Sequence, residues 1–258
     1  LEELLDCNKL EKFSLLQGNA NPGRILLDVV SENSLLNYTA YTINPDLMVV
    51  LQLRVLLLQI IHQDMKLGGI IQPKDLVENQ LFDRILTMPL WRPSSKAMEY
   101  FPERTSLSKL DVPESKIADG EWHEILFNLS LLDRNGKMVT LITNSTLANN
   151  LNVKTRQALV ENGYIESIIE LPDRLLENTG IELYAVVLSY GNKGIKFLDA
   201  SQAYIEQRRR KDIDINTVLK NLANPKICRF ESIESIAREG YNLLPKRYIL
   251  KNNITDGV

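Results

Sequence analysis

What most limits the folds open to this chain is a recurring pattern: short apolar runs end in turn residues, and longer helical stretches separate them. Residues 24–30 (RILLDVV) form a continuous apolar run between a glycine and a polar cluster, which predicts a buried strand. Residues 38–43, 82–86, 138–143 and 165–171 read as further strands, and Ile70-Ile71 begins a short one after a turn at Gly68-Gly69. Between them, Asn44-Pro45 is an N-cap followed by a first-turn proline. It opens a helix to about Gln63 that is apolar nearly all round and is expected to pack against a sheet. Residues 121–132 form an amphipathic helix with apolar positions 122, 125, 126, 129 and 132, and Asn135-Gly136 turns the chain. Residues 150–161 form another helix, closed by Gly163. Strands alternating with helices predict a mostly parallel sheet with helices on both faces and right-handed crossovers. Residues 183–190 and 195–198, joined by Gly191-Asn192-Lys193-Gly194, read as a hairpin that adds antiparallel strands. The first 17 residues carry an imperfect helical stripe, and 18–23 read as a loop.

Bulk properties narrow the function classes. The 258 residues suffice for one large α/β domain or two small ones, and 44% apolar content predicts a real core. A net charge of −3 argues against a domain that grips DNA alone, so nucleic-acid contact is expected to be local or shared with a partner. Cys7 and Cys228 lie far apart without metal-type spacing, which predicts a reducing compartment and no disulfide framework. With His62 and His123 the only histidines, no metal site is expected. No signal peptide is visible, and the apolar run 47–61 contains Gln52, Arg54 and Gln59 and is too short to span a bilayer. A cytoplasmic location without membrane contact is therefore expected. The chain opens on Leu1 rather than Met, as a fragment would. Arg208-Arg209-Arg210-Lys211 is the one dense basic cluster; it reads as a solvated face or a phosphate contact.

Several longer segments are more specific. The strand at 82–86 runs into a proline-stiffened turn, Met88-Pro89-Leu90-Trp91, that presents an aromatic ring. Residues 136–147 read GKMVTLITNSTL, 156–172 read RQALVENGYIESIIELP, and Asn178-Thr179-Gly180-Ile181 follows. Residues 239–248 read EGYNLLPKRY. Together these resemble the modification subunit of type I restriction-modification systems, an adenine-specific DNA methyltransferase family, over roughly 24–248. The resemblance implies an α/β, Rossmann-like S-adenosylmethionine-dependent methyltransferase fold, mostly parallel with a terminal antiparallel hairpin. It also implies three regions: an N-terminal helical segment at 1–23 (a truncated helical domain or a lead-in), a methyltransferase-like domain at 24–200, and a C-terminal extension and tail at 201–258. The implied partners are DNA, reached through a specificity subunit, and other restriction-modification subunits.

The same resemblance places the site. The family's cofactor turn, Asp-Pro-x-x-Gly-x-Gly, falls on 28–34, where Asp28 and Ser31 become candidate cofactor contacts but Glu32 and Ser34 replace both glycines. Thr42 stands where a carboxylate would hold the ribose, and Asp75 is placed near the cofactor base. The catalytic Asn-Pro-Pro-aromatic loop falls on Met88, Pro89, Leu90 and Trp91. In the family, the Asn oxygen and the following carbonyl accept the protons of a flipped adenine amine; a thioether is only a weak acceptor. Trp91 keeps the ring that could stack on a base. These departures predict weak or no methyl transfer, a pseudoenzyme, and leave open that no S-adenosylmethionine is bound. The rival reading is an active S-adenosylmethionine-dependent DNA adenine methyltransferase working with a specificity subunit. A more remote one is an unrelated Rossmann-like nucleotide-binding protein.

Overall fold

The computed structural model describes residues 5–7, 12–20, 36–61, 66–76, 80–102, 109–112, 120–175, 180–208 and 211–249. The chain gathers into two compact units, residues 1–114 with 119–140, and residues 115–118 with 141–258.

The first unit is built on parallel strands: β1 (Phe13–Gly18), β2 (Leu36–Tyr41), β3 (Lys66–Ile71), β4 (Phe82–Thr87) and residues 132–140 of β5 (Leu132–Thr143). Their spatial order is β5-β4-β1-β2-β3, and each neighbouring pair runs parallel. The chain steps outward from β1 to β3, then returns to the other side of β1 as β4. Strand order therefore reverses between β1 and β4, the place where open α/β sheets hold ligands beyond their strand ends.

β1 corrects the helix expected over the first 17 residues. Phe13, Leu15 and Leu16 are all buried, because a central strand is covered on both faces and shows no alternation. The strand expected at 24–30 lies outside the described residues. Gly68-Gly69, read as a turn, instead lies within β3. Asn135-Gly136 turns the chain inside β5: pairing jumps from Phe82 with Leu132 to Arg84 with Lys137, which leaves the intervening residues as a bulge.

Two longer helices belong to this unit. In α1 (Pro45–Ile61), Asn44 Oδ1 caps the first turn by accepting from the N–H groups of Asp46 and Leu47 at 2.9 and 3.3 Å. Leu51 and Val55 are buried, whereas Val49, Val50, Leu53, Leu56 and Leu57 stay exposed. Among the described side chains of this helix, its near all-round apolar surface is thus covered only along one stripe. Helix α2 (Glu121–Ser130) buries Trp122, Ile125, Leu126 and Leu129 as its periodicity predicts, but it also buries Glu124 and Asn128.

In the second unit β6 (Ile165–Glu170) is central: β7 (Leu183–Leu188) pairs antiparallel to it, and β8 (Gly194–Asp199) pairs parallel to it. Strand β9 (Cys228–Ser232) adds antiparallel to β8. The antiparallel pair is therefore β6 with β7, and the segments read as a 183–198 hairpin flank β6 instead. The cause lies at the turn. Asn192 donates its N–H and its side-chain amide to Gly163 O, both at 3.0 Å, which carries the chain across the start of β6. Gly163 has φ +65, and a Cβ there would stand 2.4 Å from Asn192 O, so glycine is required.

The EGYNLLPKRY segment docks within this unit. Arg156 of α3 (Val153–Glu161) is buried and donates to Tyr241 O at 2.7 Å, Asn149 O at 2.8 Å and Thr146 O at 3.4 Å. Lys246 pairs with buried Glu170 at 2.7 Å, and the Tyr248 ring stacks on Phe197 with centroids 4.1 Å apart. Loss of solvent pushes the Arg156 guanidinium down to about 10. Asn178 and Thr179 lie outside the described residues.

Candidate active site

The ends of β1, β2 and β4 converge on one side chain, Glu124 of α2. Its Oε1 accepts from Asn19 Nδ2 at 2.5 Å, Tyr41 Oη at 3.0 Å and Thr87 Oγ1 at 3.3 Å. Its Oε2 accepts the Leu90 N–H at 3.1 Å. Asn128, one turn along α2, donates to Tyr41 Oη at 2.7 Å and orients that hydroxyl. Glu124 is 1% exposed. Burial pushes its carboxyl up to about 7, against the opposing pull of the Leu90, Tyr41, Asn19 and Thr87 hydrogen bonds. Burial, with the Glu124 charge next, pushes the Tyr41 phenol well above its ordinary value, so it stays a donor.

Close packing fixes this arrangement. A Cβ on Gly18 would stand 2.6 Å from Tyr41 Oη and 2.7 Å from Thr87 Oγ1. Asn19 then adopts a left-handed φ of 47°, which asparagine tolerates better than most residues. Behind Tyr41, the rings of Phe101 and Phe127 meet it edge-on with centroids 6.0 and 6.1 Å away.

The loop that follows β4 is held from both sides. Met88 O accepts from Asn19 Nδ2 at 3.4 Å, and the Arg92 N–H donates to Glu121 Oε1 at 3.2 Å. Pro89 is buried, while Met88, Leu90 and Trp91 are half-buried. The Trp91 indole N–H is buried without a partner among the described residues.

Met88, Pro89, Leu90 and Trp91 thus sit at the switch point, directly after β4 as expected. Thr42 follows β2, is buried, and its hydroxyl accepts the Asn44 N–H at 3.3 Å. Asp75 is exposed in a single turn, Pro73–Asp75, beyond the end of β3. Asp28 and Ser31 lie outside the described residues, and β1 ends well before them, at Gly18. Of the basic run, Arg208 is exposed, whereas Lys211 is buried against Asp173 with its ammonium 3.8 Å from the Tyr204 ring centroid. Glu124 and Asn19 were not singled out from the sequence. Glu124 meets partners 34 to 105 positions away in the chain, and no local pattern marks such convergence. No group of three or more residues able to hold a metal occurs among the described residues, and no described helix is long and apolar enough to cross a membrane.

An open parallel sheet with its strand reversal beside β1, followed by antiparallel strands, defines the Rossmann-like class of methyltransferase folds. The family model for N-6 DNA methylases matches residues 48–257, and the chain belongs to that family. It is similar to the methylase subunit of the type I restriction enzyme MjaIX from Methanocaldococcus jannaschii, at 26% identity over 60% of this chain and 31% of that protein. In fold it is similar to the type I methyltransferase subunit from Streptococcus thermophilus, with a TM-score of 0.74, 22% identity, and coverage of 95% of this chain and 57% of that one. The EcoKI M protein superimposes with a TM-score of 0.66 at 10% identity, covering 94% of this chain and 63% of that one. The chain therefore spans about a third of that curated relative and between half and two thirds of these two solved subunits.

Proposed function

We propose that this chain is the methyltransferase module of a type I restriction-modification subunit, with weak or no methyl transfer of its own. In this reading DNA is reached through a specificity subunit, and the module serves chiefly to assemble with the other subunits. The observation that carries the reading is Met88 at the switch point. The amine of an extruded adenine needs oriented acceptors there, and a thioether offers only a weak one. An oriented polar group at a reacting centre is worth roughly 3 to 4 kcal/mol of transition-state stabilisation, judged from oxyanion-hole donors. The described residues also fit S-adenosylmethionine poorly. No carboxylate ends β2; Thr42 stands there, and a single hydroxyl lacks the paired acceptor oxygens of a carboxylate. By sequence resemblance alone, Asp75 is proposed as a contact to the cofactor base, and Asp28 and Ser31 as contacts of the cofactor turn.

One observation favours the active alternative. Because β1 ends at Gly18, the sequence that follows the first described strand is 19–23, NANPG, and it contains a glycine. A glycine soon after such a strand suits close approach of a ligand to the backbone. Calorimetric titration of S-adenosylmethionine into the chain separates the two. Absence of heat from binding is expected, and micromolar affinity overturns the proposal. Radiolabelled methyl transfer to DNA, with a specificity subunit supplied, would establish the enzyme.

A further inference from the structure

We propose that Glu124 is the positioning residue of the 88–91 loop: its Oε2 holds the loop through the Leu90 N–H, while its Oε1 fastens the same carboxylate to the ends of β1, β2 and β4. The inference rests on reading 88–91 as the loop that faces a substrate base. Its physical basis is the division between the two oxygens. Oε1 collects Asn19, Tyr41 and Thr87, whereas Oε2 receives the Leu90 N–H. A carboxylate at 1% exposure is costly, and an apolar side chain would fill the same core more cheaply if packing were its only task.

The loop is tied at successive points. Asn19 Nδ2 reaches Met88 O, Glu124 takes the Leu90 N–H, and Glu121, also in the first turn of α2, takes the Arg92 N–H. Gly120 leads into that turn with φ +73, and a Cβ there would stand 3.2 Å from Pro93 Cδ. Helix α2 therefore grips alternate N–H groups of the loop, and Glu124 is the grip that also reaches the strand ends. Facing it are Tyr41 from β2, Asn19 beyond β1, and Thr87 and the Leu90 N–H from β4 and its loop. All are uncharged donors, Tyr41 because its phenol is held protonated. With the carboxyl pushed up to about 7, one proton near neutrality changes the charge that holds the loop.

Glu124→Gln tests this without dismantling the site. The glutamine oxygen is expected on the side with three donors, so its NH2 faces the Leu90 N–H and cuts only the loop tie. Amide hydrogen exchange by NMR on the full chain should show protection of the Leu90 amide falling by at least about tenfold. The Ala20 amide, bonded to Tyr41 O, should stay protected. In the unsubstituted chain the Trp91 indole signal should shift in one step around neutrality. That step should be lost in Glu124→Gln and kept in His123→Gln, which controls for the neighbouring imidazole. A Leu90 amide still protected in Glu124→Gln overturns the proposal. So does joint opening of the Leu90 and Ala20 amides, which would make Glu124 a core residue only. None of these readouts needs a cofactor, so an unexpected S-adenosylmethionine affinity would sink the proposed function and leave this result standing.

Discussion

Each unit buries one charged side chain to 1% exposure, and the two are used in opposite senses. In the second unit the Arg156 guanidinium collects the carbonyl oxygens of Thr146, Asn149 and Tyr241. In the first, the Glu124 carboxylate collects donors from Asn19, Tyr41, Thr87 and Leu90. Loss of water acts on both and disfavours the charged form of each: Arg156 falls to about 10 and Glu124 rises to about 7. Only the second of these lies where ordinary pH changes reach. Arg156 thus behaves as a fixed staple for the 239–248 segment, whereas Glu124 is a staple that a proton can alter. The same burial cost yields permanence in one unit and responsiveness in the other.

The largest test of that contrast is Arg156→Met. It keeps the side-chain volume but leaves buried carbonyl oxygens without their donors, and is expected to cost about 4 kcal/mol in denaturant unfolding. A loss below about 1 kcal/mol would show that the staple is dispensable and break the comparison. The next test is pH. With the folded carboxyl near 7 and an unfolded value near 4.5, Glu124 contributes its full stability below the unfolded value. That contribution is lost as pH rises through about 7. The difference is roughly 3 kcal/mol. Denaturation curves at pH 5 and 8 should therefore show a drop in the unsubstituted chain and a smaller one in Glu124→Gln, since Glu170, also raised by burial, shares the sign. Equal drops in both proteins would remove Glu124 from the account. The smallest expected effect is that of Met88→Asn. This half-buried position should change stability by less than about 1 kcal/mol. Alone it should not produce methyl transfer, because Thr42 still supplies no carboxylate; label appearing on DNA would shift weight to the active reading.

Much of the frame was legible in the sequence because local chemistry marks it. Asn44-Pro45 announces α1, the run from Phe82 announces β4, and the apolar spacing from Trp122 announces α2. The parts that were missed depend on distance. Phe13, Leu15 and Leu16 mimic a helical stripe because a strand buried on both faces has no alternation to read. Among the described side chains of α1, five large apolar residues remain exposed because apolar composition says nothing about how much neighbouring surface exists to cover them. Insertion of β6 between β7 and β8 depends on Asn192 crossing Gly163, a contact between residues that no turn motif links. Glu124 shows the limit most sharply. Its spacing sets it opposite the apolar stripe 122, 125, 126 and 129 of α2, where a charge reads as solvated, and only the tertiary fold reveals four donors waiting for it.

Lys211 carries a consequence for any encounter with DNA. Its ammonium is neutralised by Asp173 and laid against Tyr204, so it sheds no condensed counterion from a phosphate backbone. The basic run at 208–211 would then give an affinity that declines less steeply with added salt than its four charges suggest, shallower by about one unit of logarithmic slope.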